Sequence, residues 1–389
     1  MKMIFLLFQM LTLLSCKSND DRLFIFDPRG LKENNISLSF MADDISYIPL
    51  DNSIKVGPVH HNFKFTGDAI YFSVTYEGIM KFDRSGNFER KIGGIGRGPS
   101  EYNVYRDFSV DPEGSLVYVR NNSNGPAKVY SDKGIFIKDI VLEEGFGGIG
   151  ITEFFDSKLI LFYEVLYNKS KYNWIAFDTL GKAIKKKELT IPEVNSGWFG
   201  SSGTYRFKNN LYYWDTYNDT VFSISPDLTC KASFIISPGE HRAPSAPIPD
   251  PNLLKKYMLI NGISETNRFI IIEYFYKDPF LMIYDKENKI VFQNKMGTIY
   301  NGKESQRIGG IFNDLDGGMN FQPYYYFVEN NREYLIGLIN PYDIKAQVQK
   351  DEFKNFQAKY PEKKKAFEEL AGRINETDNQ VLMVVRLKQ

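Results

Sequence analysis

Residues that could recognise a ligand are concentrated in segments of this sequence that are rich in glycine and aromatic residues. An arginine can donate two parallel hydrogen bonds to a carboxylate or sulfate. A tryptophan ring can stack on the face of a sugar. The candidates for this binding chemistry are Arg97, Glu101, Tyr102, Trp198, His241 and Arg307.

The sequence lacks the familiar patterns of metal and nucleotide sites. His60-His61 and the distant His241 do not have the spacing of metal ligands. The glycines between Gly93 and Gly98 do not follow the G-x-G-x-x-G fingerprint, and no helix pattern follows them. We therefore expect no cofactor and no bound transition metal.

Signatures of nucleophilic catalysis are missing as well. The sequence contains neither G-x-S-x-G nor H-E-x-x-H, and Cys230 is expected to be a small packed residue. Carboxylates are plentiful, but the sequence does not show which of them converge. Binding is favoured over catalysis, and a carbohydrate-active lyase or lactonase remains the alternative.

The charge balance argues against a nucleic-acid partner. Lys plus Arg and Asp plus Glu both number 48, so the formal net charge is zero. No basic block stands out that would attract a phosphate backbone. We expect no DNA or RNA ligand.

The N-terminus has the features of a bacterial export signal. Lys2 is followed by an apolar run from Met3 to Leu14, too short for a membrane-spanning helix, which needs about 20 residues. Leu13-Leu14-Ser15-Cys16 then resembles a lipobox, whose cysteine receives a diacylglycerol. The alternative is an ordinary cleaved signal with a chance cysteine. We predict a signal peptide over 1–15, lipidation of Cys16 and a tether over 16–36.

The segment after Cys16 bears on which side of the outer membrane carries the protein. Lys17-Ser18-Asn19-Asp20-Asp21 resembles the acidic tether that displays some lipoproteins on the outer face. It is equally compatible with a plain polar spacer. We therefore expect an outer-membrane lipoprotein, at the cell surface or on the periplasmic face.

A recurring phrase predicts the architecture. An apolar strand ends in an aromatic or aliphatic residue followed by Asp or Ser, turns through polar residues and returns as a second strand. The phrase starts at Phe82, Tyr130, Phe177, Ile224 and Tyr284, at steps of 48, 47, 47 and 60 residues. Repeats of this length that carry several strands are typical of a β-propeller. We predict an all-β fold with six blades.

The sixth blade can be completed only with both ends of the chain. Residues 321–327, 333–339 and 380–387 read as three strands, and a helical insertion over 341–375 separates the second from the third. The N-terminal run Ile45–Leu50 can supply the missing fourth strand and close the ring. The prediction is one propeller domain over 37–389, and a ring closed in this way needs no partner subunit, so we expect a monomer.

In such a ring, the crossovers between blades and the helical insertions lie on one face. The candidate binding residues fall in these crossovers, and ligands of ring folds gather at a face that carries loops. A structural role is the competing interpretation, because tight crossovers need glycine. Arg97 and Glu101 can pair with each other, and Tyr102 can pack between blades.

The chain resembles a family of six-bladed β-propeller lipoproteins of Gram-negative bacteria that are similar in shape to NHL-repeat propellers. Glu101-Tyr102 ends the most specific of the shared motifs, and the C-terminal one has Gln380 where the family tends to have proline. The motifs are Ile48-Pro49-Leu50, Phe82-Asp83 to Gly86 with Ile92-Gly93, Gly96 to Tyr102, Asn313 to Gly318 and Asp378 to Leu382. The resemblance implies the fold and a lipid anchor but no activity. Together with the residues, it favours a binding or scaffold module for an envelope protein or glycan.

Overall fold

The structure of the protein is a computed structural model. It describes residues 23–56, 63–74, 77–102, 107–111, 113, 115–120, 125–143, 150–163, 171–189, 202–215, 217–244, 250–301 and 304–389.

The chain opens with two strands that later join distant blades. These are β1 (Phe24–Phe26) and, after the short helix α1 (Leu38–Met41), β2 (Ala42–Pro49). Three four-stranded blades follow. Blade I contains β3 (Phe63–Phe65), β4 (Ala69–Val74), β5 (Gly78–Asp83) and β6 (Phe88–Ile92). Blade II contains β7 (Asp107–Val110), β8 (Leu116–Arg120), β9 (Ala127–Ser131) and β10 (Phe136–Ile140). Blade III contains β11 (Thr152–Phe155), β12 (Lys158–Phe162), β13 (Tyr172–Phe177) and β14 (Ala183–Glu188).

The remaining blades carry the additions. Blade IV contains β15 (Ser202–Phe207), β16 (Asn210–Asp215), β17 (Asn218–Ile224) and β18 (Cys230–Ile236). Blade V contains β19 (Leu259–Glu265), β20 (Phe269–Tyr276), β21 (Asp278–Asp285), β22 (Ile290–Asn301) and β23 (Glu304–Gly309). Blade VI contains β24 (Tyr325–Glu329), β25 (Arg332–Ile339) and, after α2 (Pro341–Gln349), α3 (Asp351–Asn355) and α4 (Pro361–Arg373), the strand β26 (Val381–Leu387). The predicted six-bladed β-propeller is confirmed.

The ring is closed by the N-terminal strand, as predicted. Strand β2 pairs antiparallel with β26 from Ala42↔Leu387 to Pro49↔Val381, so the last blade has the order β2-β26-β25-β24. The pairing covers the edge of β26, which would otherwise offer free backbone groups to another chain. The insertion α2–α4 packs with β2 and blade V in one apolar cluster that includes Ile45, Ile344 and Phe367.

The burial pattern within a blade follows from the stacking of blades against one another. Middle strands are covered on both faces, so β4 and β5 are almost continuously apolar and buried, from Ala69 to Phe72 and from Gly78 to Phe82. An outer strand is covered by the rest of the protein only at one end, and its other residues face solvent. Strand β6 accordingly exposes Glu89, Arg90 and Lys91 and buries Ile92.

The recurring phrase is the contact between consecutive blades. Its glycines, Gly86, Gly134 and Gly181, all have positive φ, of 88°, 78° and 91°. Each glycine carbonyl accepts a hydrogen bond from the preceding blade, at 2.8 Å from Asp51 N, 3.2 Å from Gly93 N and 2.9 Å from Glu143 N. A methyl group at Gly181 would lie 2.1 Å from the carbonyl oxygen of Val141. Glycine recurs at these turns because the backbone must adopt a positive φ there and lie close to the preceding blade.

The predicted tether is shorter than expected. Strand β1 adds in parallel to the outer edge of β18 in blade IV, with Phe24↔Phe234 and Phe26↔Ile236 in register. The chain then crosses blade V, where Asn34 bridges Gln293, before it enters β2. Residues 24–36 thus belong to the folded domain, contrary to the predicted boundary at residue 37. We call residues 24–49 the N-terminal strap.

Candidate functional site

The first strand of each blade lies at the centre of the ring. Each is at one end of its sheet in the strand order, and these strands contact one another between blades, β7 with β11, β15 with β19 and β19 with β24. In a propeller the innermost strands surround a central channel. Charged side chains of four of these strands meet there. We call Lys64, Asp107, Glu153 and Arg206 the channel cluster.

Glu153 is the centre of the channel cluster. Its carboxylate accepts hydrogen bonds from Lys64 Nζ at 2.9 Å, Thr204 Oγ1 at 2.9 Å and Arg206 Nη2 at 3.1 Å. These partners come from blades I and IV, so the glutamate of blade III joins three blades. Its side chain is only 5% exposed, and charge-assisted hydrogen bonds of this kind are the strong ones.

Asp107 holds the neighbouring inner strand. Its Oδ2 accepts the backbone N–H of Thr152, and two residues on, Ser109 Oγ accepts the N–H of Phe154 at 2.9 Å. Asp107 is 4% exposed and stands opposite the buried Arg120 in the β7–β8 register. Both acceptors of β7 are thus used to position β11, which carries Glu153.

The two carboxyl groups differ in their pKa values because their surroundings differ. Burial raises the pKa of Asp107 to about 6, although Lys64, the Thr152 N–H and Arg120 act against this. Burial also disfavours ionised Glu153, but Lys64 and Arg206 outweigh it and bring the pKa of Glu153 to about 2. Burial lowers the pKa of Lys64, but the negative charges of Glu153 and Asp107 outweigh burial, so the pKa of Lys64 is raised. One carboxylate is locked in its charged form, and the other titrates near neutral pH.

The exposed part of the channel cluster is cationic. The side chains of Lys64 and Arg206 are 20% and 35% exposed, whereas both carboxylates are buried. Among the described side chains here, the three cations Lys64, Arg120 and Arg206 face the two carboxylates of Asp107 and Glu153. Asp107, Lys64 and Glu153 are the first or second residues of their strands, next to the crossovers that precede them. Arg206 is instead the fifth of the six residues of β15, so the channel cluster is not confined to one end of the channel. An anionic group that enters the channel would find the positive charge of Lys64 and Arg206.

Two candidates in the Arg97–Tyr102 segment, Glu101 and Tyr102, make hydrogen bonds that hold the fold together. Tyr102 is fully buried, and its hydroxyl donates to Ile92 O at 2.8 Å and accepts from Ile79 N at 3.1 Å. Glu101 Oε2 accepts the N–H of Gly98 at 2.8 Å, which shapes the loop. Arg97 is exposed on the same loop.

The other candidates lie apart from this loop. His241 follows blade IV and contacts blade V, since its Nε2 lies 2.9 Å from Tyr276 Oη and its Nδ1 lies 3.0 Å from Lys256 O. Arg307 was expected in a crossover loop but belongs to strand β23, opposite Thr298 of β22, because the long hairpin continues to Gly309. The side chain of Arg307, the whole of Trp198 and the predicted lipidation site Cys16 lie outside the described residues.

The channel cluster was missed at the sequence level, although a signal was present. Each member stands in the first strand of its blade. Lys64, Asp107 and Arg206 lie within short alternations of polar and apolar residues, such as Asp107-Phe108-Ser109-Val110, whereas Glu153 lies in Thr152-Glu153-Phe154-Phe155, which does not alternate. Alternation in an innermost strand means that one set of side chains packs between blades and the other faces the channel. Spacing alone did not reveal that blades I, III and IV place these charges together.

A second concave surface lies outside the channel. It is a groove of about 430 Å³ between the N-terminal strap and blade V, lined by Asn35, Asn294, Lys295, Phe312 and Asn320 among others. Phe312 is 48% exposed, and its ring meets Phe356 edge-on at 5.7 Å. The groove offers an aromatic edge and amide groups but no convergent charges comparable to those in the channel.

The described residues show neither a metal centre nor a membrane-spanning helix. No group of three or more His, Cys, Asp or Glu side chains there is arranged to hold a metal ion. None of the helices in this part of the chain is long and apolar enough to span a membrane.

Sequence comparison identifies the family. The profile of a family described as a domain of unknown function, DUF4934, matches residues 23–386. The chain therefore belongs to the DUF4934 family, and the match includes the N-terminal strap. No curated protein matches the sequence.

Two solved structures share the fold over nearly the whole chain. One is a Bacteroides fragilis protein described as exported, with 17% identity, a TM-score of 0.65 and coverage of 95% of this chain and 100% of that one. The other is a member of the DUF4221 family from Bacteroides vulgatus, with 13% identity, a TM-score of 0.50 and coverage of 92% and 99%. At these identities the likeness concerns the fold alone.

Proposed function

We propose that this member of the DUF4934 family is a lipid-anchored envelope protein whose propeller binds an anionic glycan, one with carboxylate or sulfate groups, in the central channel. The apolar leader that ends in Leu14-Ser15-Cys16 supports export and lipidation. The description of the Bacteroides fragilis neighbour as exported is compatible with this location. The proposed outer-membrane location rests on the predicted leader and on the predicted tether after Cys16.

The observation that carries the binding proposal is the partial exposure of Lys64 and Arg206 above buried counter-charges. The Glu153 carboxylate orients both cations, so their remaining N–H groups are held in place before a ligand arrives. Preorganised donors lose little freedom on binding. Arg206 Nη2 donates to both Glu153 Oε2 and Phe154 O, so its Nε and Nη1 hydrogens are the ones left for single charge-assisted hydrogen bonds to a carboxylate or sulfate.

The test is calorimetric titration of residues 23–389 with three probes. A tetragalacturonate and a sulfated disaccharide carry the anionic groups, and maltotetraose is the neutral comparison. We expect binding of at least one anionic probe and none of maltotetraose. Arg206→Gln should weaken that binding about tenfold, the loss of one charge-assisted contact.

The variant Phe312→Ala separates the channel from the groove. It leaves the channel cluster intact, so binding of the anionic probe should be unchanged. Loss of binding in Phe312→Ala but not in Arg206→Gln would place the ligand in the groove and contradict the proposal. Equal affinity for maltotetraose would show that charge is not the basis of recognition.

One observation favours a second candidate, a lyase that acts on an anionic glycan. The pKa of Asp107, about 6, suits a group that exchanges a proton near neutral pH. Binding remains the better-supported function, because Asp107 is buried and already accepts the Thr152 N–H. Ultraviolet absorbance of an unsaturated product from tetragalacturonate, lost in Asp107→Asn, would establish the lyase instead.

A further inference from the structure

The N-terminal strap determines where a lipid anchor could be attached to the ring. Strand β1 is held by its two inward side chains. Phe26 is 2% exposed, and Phe24 stacks on Tyr284 with ring centroids 4.0 Å apart. Between them, Ile25 points outward and is 59% exposed. The anchor-proximal end of the folded domain is thus the outer rim of blade IV and not either face of the channel.

The length of chain before β1 limits the distance to the membrane. Phe24 is eight residues after Cys16 in the sequence. At full extension, eight residues span at most about 29 Å. A globular domain of this size is roughly 50 Å across by the usual scaling of the radius of gyration. The tether can therefore reach about half the width of the ring.

The direction of β1 indicates the side from which the tether leaves. Because β1 is parallel to β18, the residue before Phe24 emerges toward the end of β18 that carries the exposed Lys231. In a six-bladed ring, blade I lies opposite blade IV. Its outer strand β6 carries the exposed Arg90 at the corresponding rim.

We propose that the rim of blade IV, with the outward Ile25, rests against the membrane that holds the anchor, so that the ring stands on its edge. This orientation rests on the proposed lipidation of Cys16. It leaves both ends of the central channel open to solvent, and it places blade I farthest from the lipid. The partner of this surface is the lipid headgroup region of the protein's own membrane.

Site-specific fluorescence quenching tests the orientation on the full-length lipidated protein. Cys230→Ala removes the body thiol, and either Lys231→Cys or Arg90→Cys receives the fluorophore. Vesicles of phosphatidylethanolamine and phosphatidylglycerol contain a nitroxide-headgroup lipid as quencher. The label at residue 231, at the tether exit, should be quenched at least about twofold more than the label at residue 90, given the short reach of the tether.

A longer tether provides the control. A Gly-Ser insertion of about 20 residues after Asp21 behaves as a flexible coil and should abolish the difference between the two labels. Equal quenching at residues 231 and 90 with the native tether would overturn the proposal, because it would show a ring lying flat or tumbling freely. Absence of quenching at both positions would also overturn it.

Vesicle flotation separates this proposal from the one on which it depends. If the parent protein floats with the vesicles and Cys16→Ala does not, the anchor is present and the quenching result bears on orientation alone. If the parent and Cys16→Ala both stay in solution, the lipid anchor is refuted, and the proposed orientation is refuted as well because it depends on the anchor.

Discussion

Lys64 and Glu153 meet across the central channel, with 2.9 Å between Nζ and Oε1, although their strands β3 and β11 belong to blades that are not adjacent. Blade II lies between them, so the pair joins parts of the ring that share no sheet and no blade interface. Arg206 of blade IV reaches the other oxygen of the same carboxylate. Glu153 therefore contributes to the stability of the ring and also orients the cations of the proposed binding site.

Removal of the shared acceptor should destabilise the protein strongly. Glu153→Ala leaves Lys64 and Arg206 in the channel without their counter-charge, and breaking a buried pair costs about 3–5 kcal/mol. We expect a loss of about 3 kcal/mol in urea unfolding, because Arg206 is partly solvated. The matched control is Glu77→Ala, whose pair with Lys91 is exposed and should cost about 0–1 kcal/mol. Similar losses in both variants would show that the channel position adds nothing.

Asp107 should make stability depend on pH above pH 4. Its folded-state pKa of about 6 exceeds the ordinary value of 3.8, so the folded protein binds this proton more tightly than the unfolded chain does. The associated stability is present below pH 3.8 and is lost as the pH rises to 6. The shift corresponds to about 3 kcal/mol. Asp107→Asn should therefore gain up to that amount relative to the parent between pH 4 and pH 7, measured by urea unfolding.

Glu153 should show the opposite pH dependence. Its pKa of about 2 lies below the ordinary value of 4.5, so its stabilisation is present above pH 4.5 and lost as the pH falls toward 2. The deficit of Glu153→Gln relative to the parent should be largest at pH 7 and shrink in acid. A pH-independent difference for either variant would contradict the assigned environment of that carboxyl group.

The turn glycines should not tolerate a side chain. At Gly181 an alanine would adopt a positive φ and place its methyl group against Val141 O, so Gly181→Ala should cost about 2–4 kcal/mol. Gly67→Ala is the control, because a methyl group there meets no atom within 4 Å. Thermal unfolding of the two variants compares them. Equal melting temperatures would mean that the contact between blades can shift at little cost.

Tyr102 is expected to act in stability and not in binding. Tyr102→Phe removes the hydroxyl that bridges Ile92 O and Ile79 N, and a buried backbone group without its partner costs about 1–3 kcal/mol. Arg97→Ala, on the exposed part of the same loop, should change stability by no more than about 0.5 kcal/mol. Urea unfolding of both variants provides the measurement. A stable Tyr102→Phe variant would indicate that water replaces the hydroxyl.

The strands, turns and helical insertion could be predicted from the sequence because they depend on interactions between residues close together in the chain. The phrase at Phe82, Tyr130 and Phe177 predicted the blades, since a strand, a tight turn and a returning strand have a fixed residue pattern. The unpaired strand ending at Leu387 predicted closure by an N-terminal strand, because an exposed edge in a ring must be covered. Pro341 and the helical spacing after it predicted the insertion.

Tertiary structure alone decided which side chains meet. Lys64, Asp107, Glu153 and Arg206 are separated by about 40 to 50 residues along the chain, so no local pattern links them. Their proximity arises from the curvature of the ring, which brings the first strands of four blades to one channel. The same holds for β1: three residues carry too little pattern to predict a strand, and Phe24 and Phe26 are ordered only because blades IV and V offer Phe234, Tyr284 and Tyr274 as packing partners.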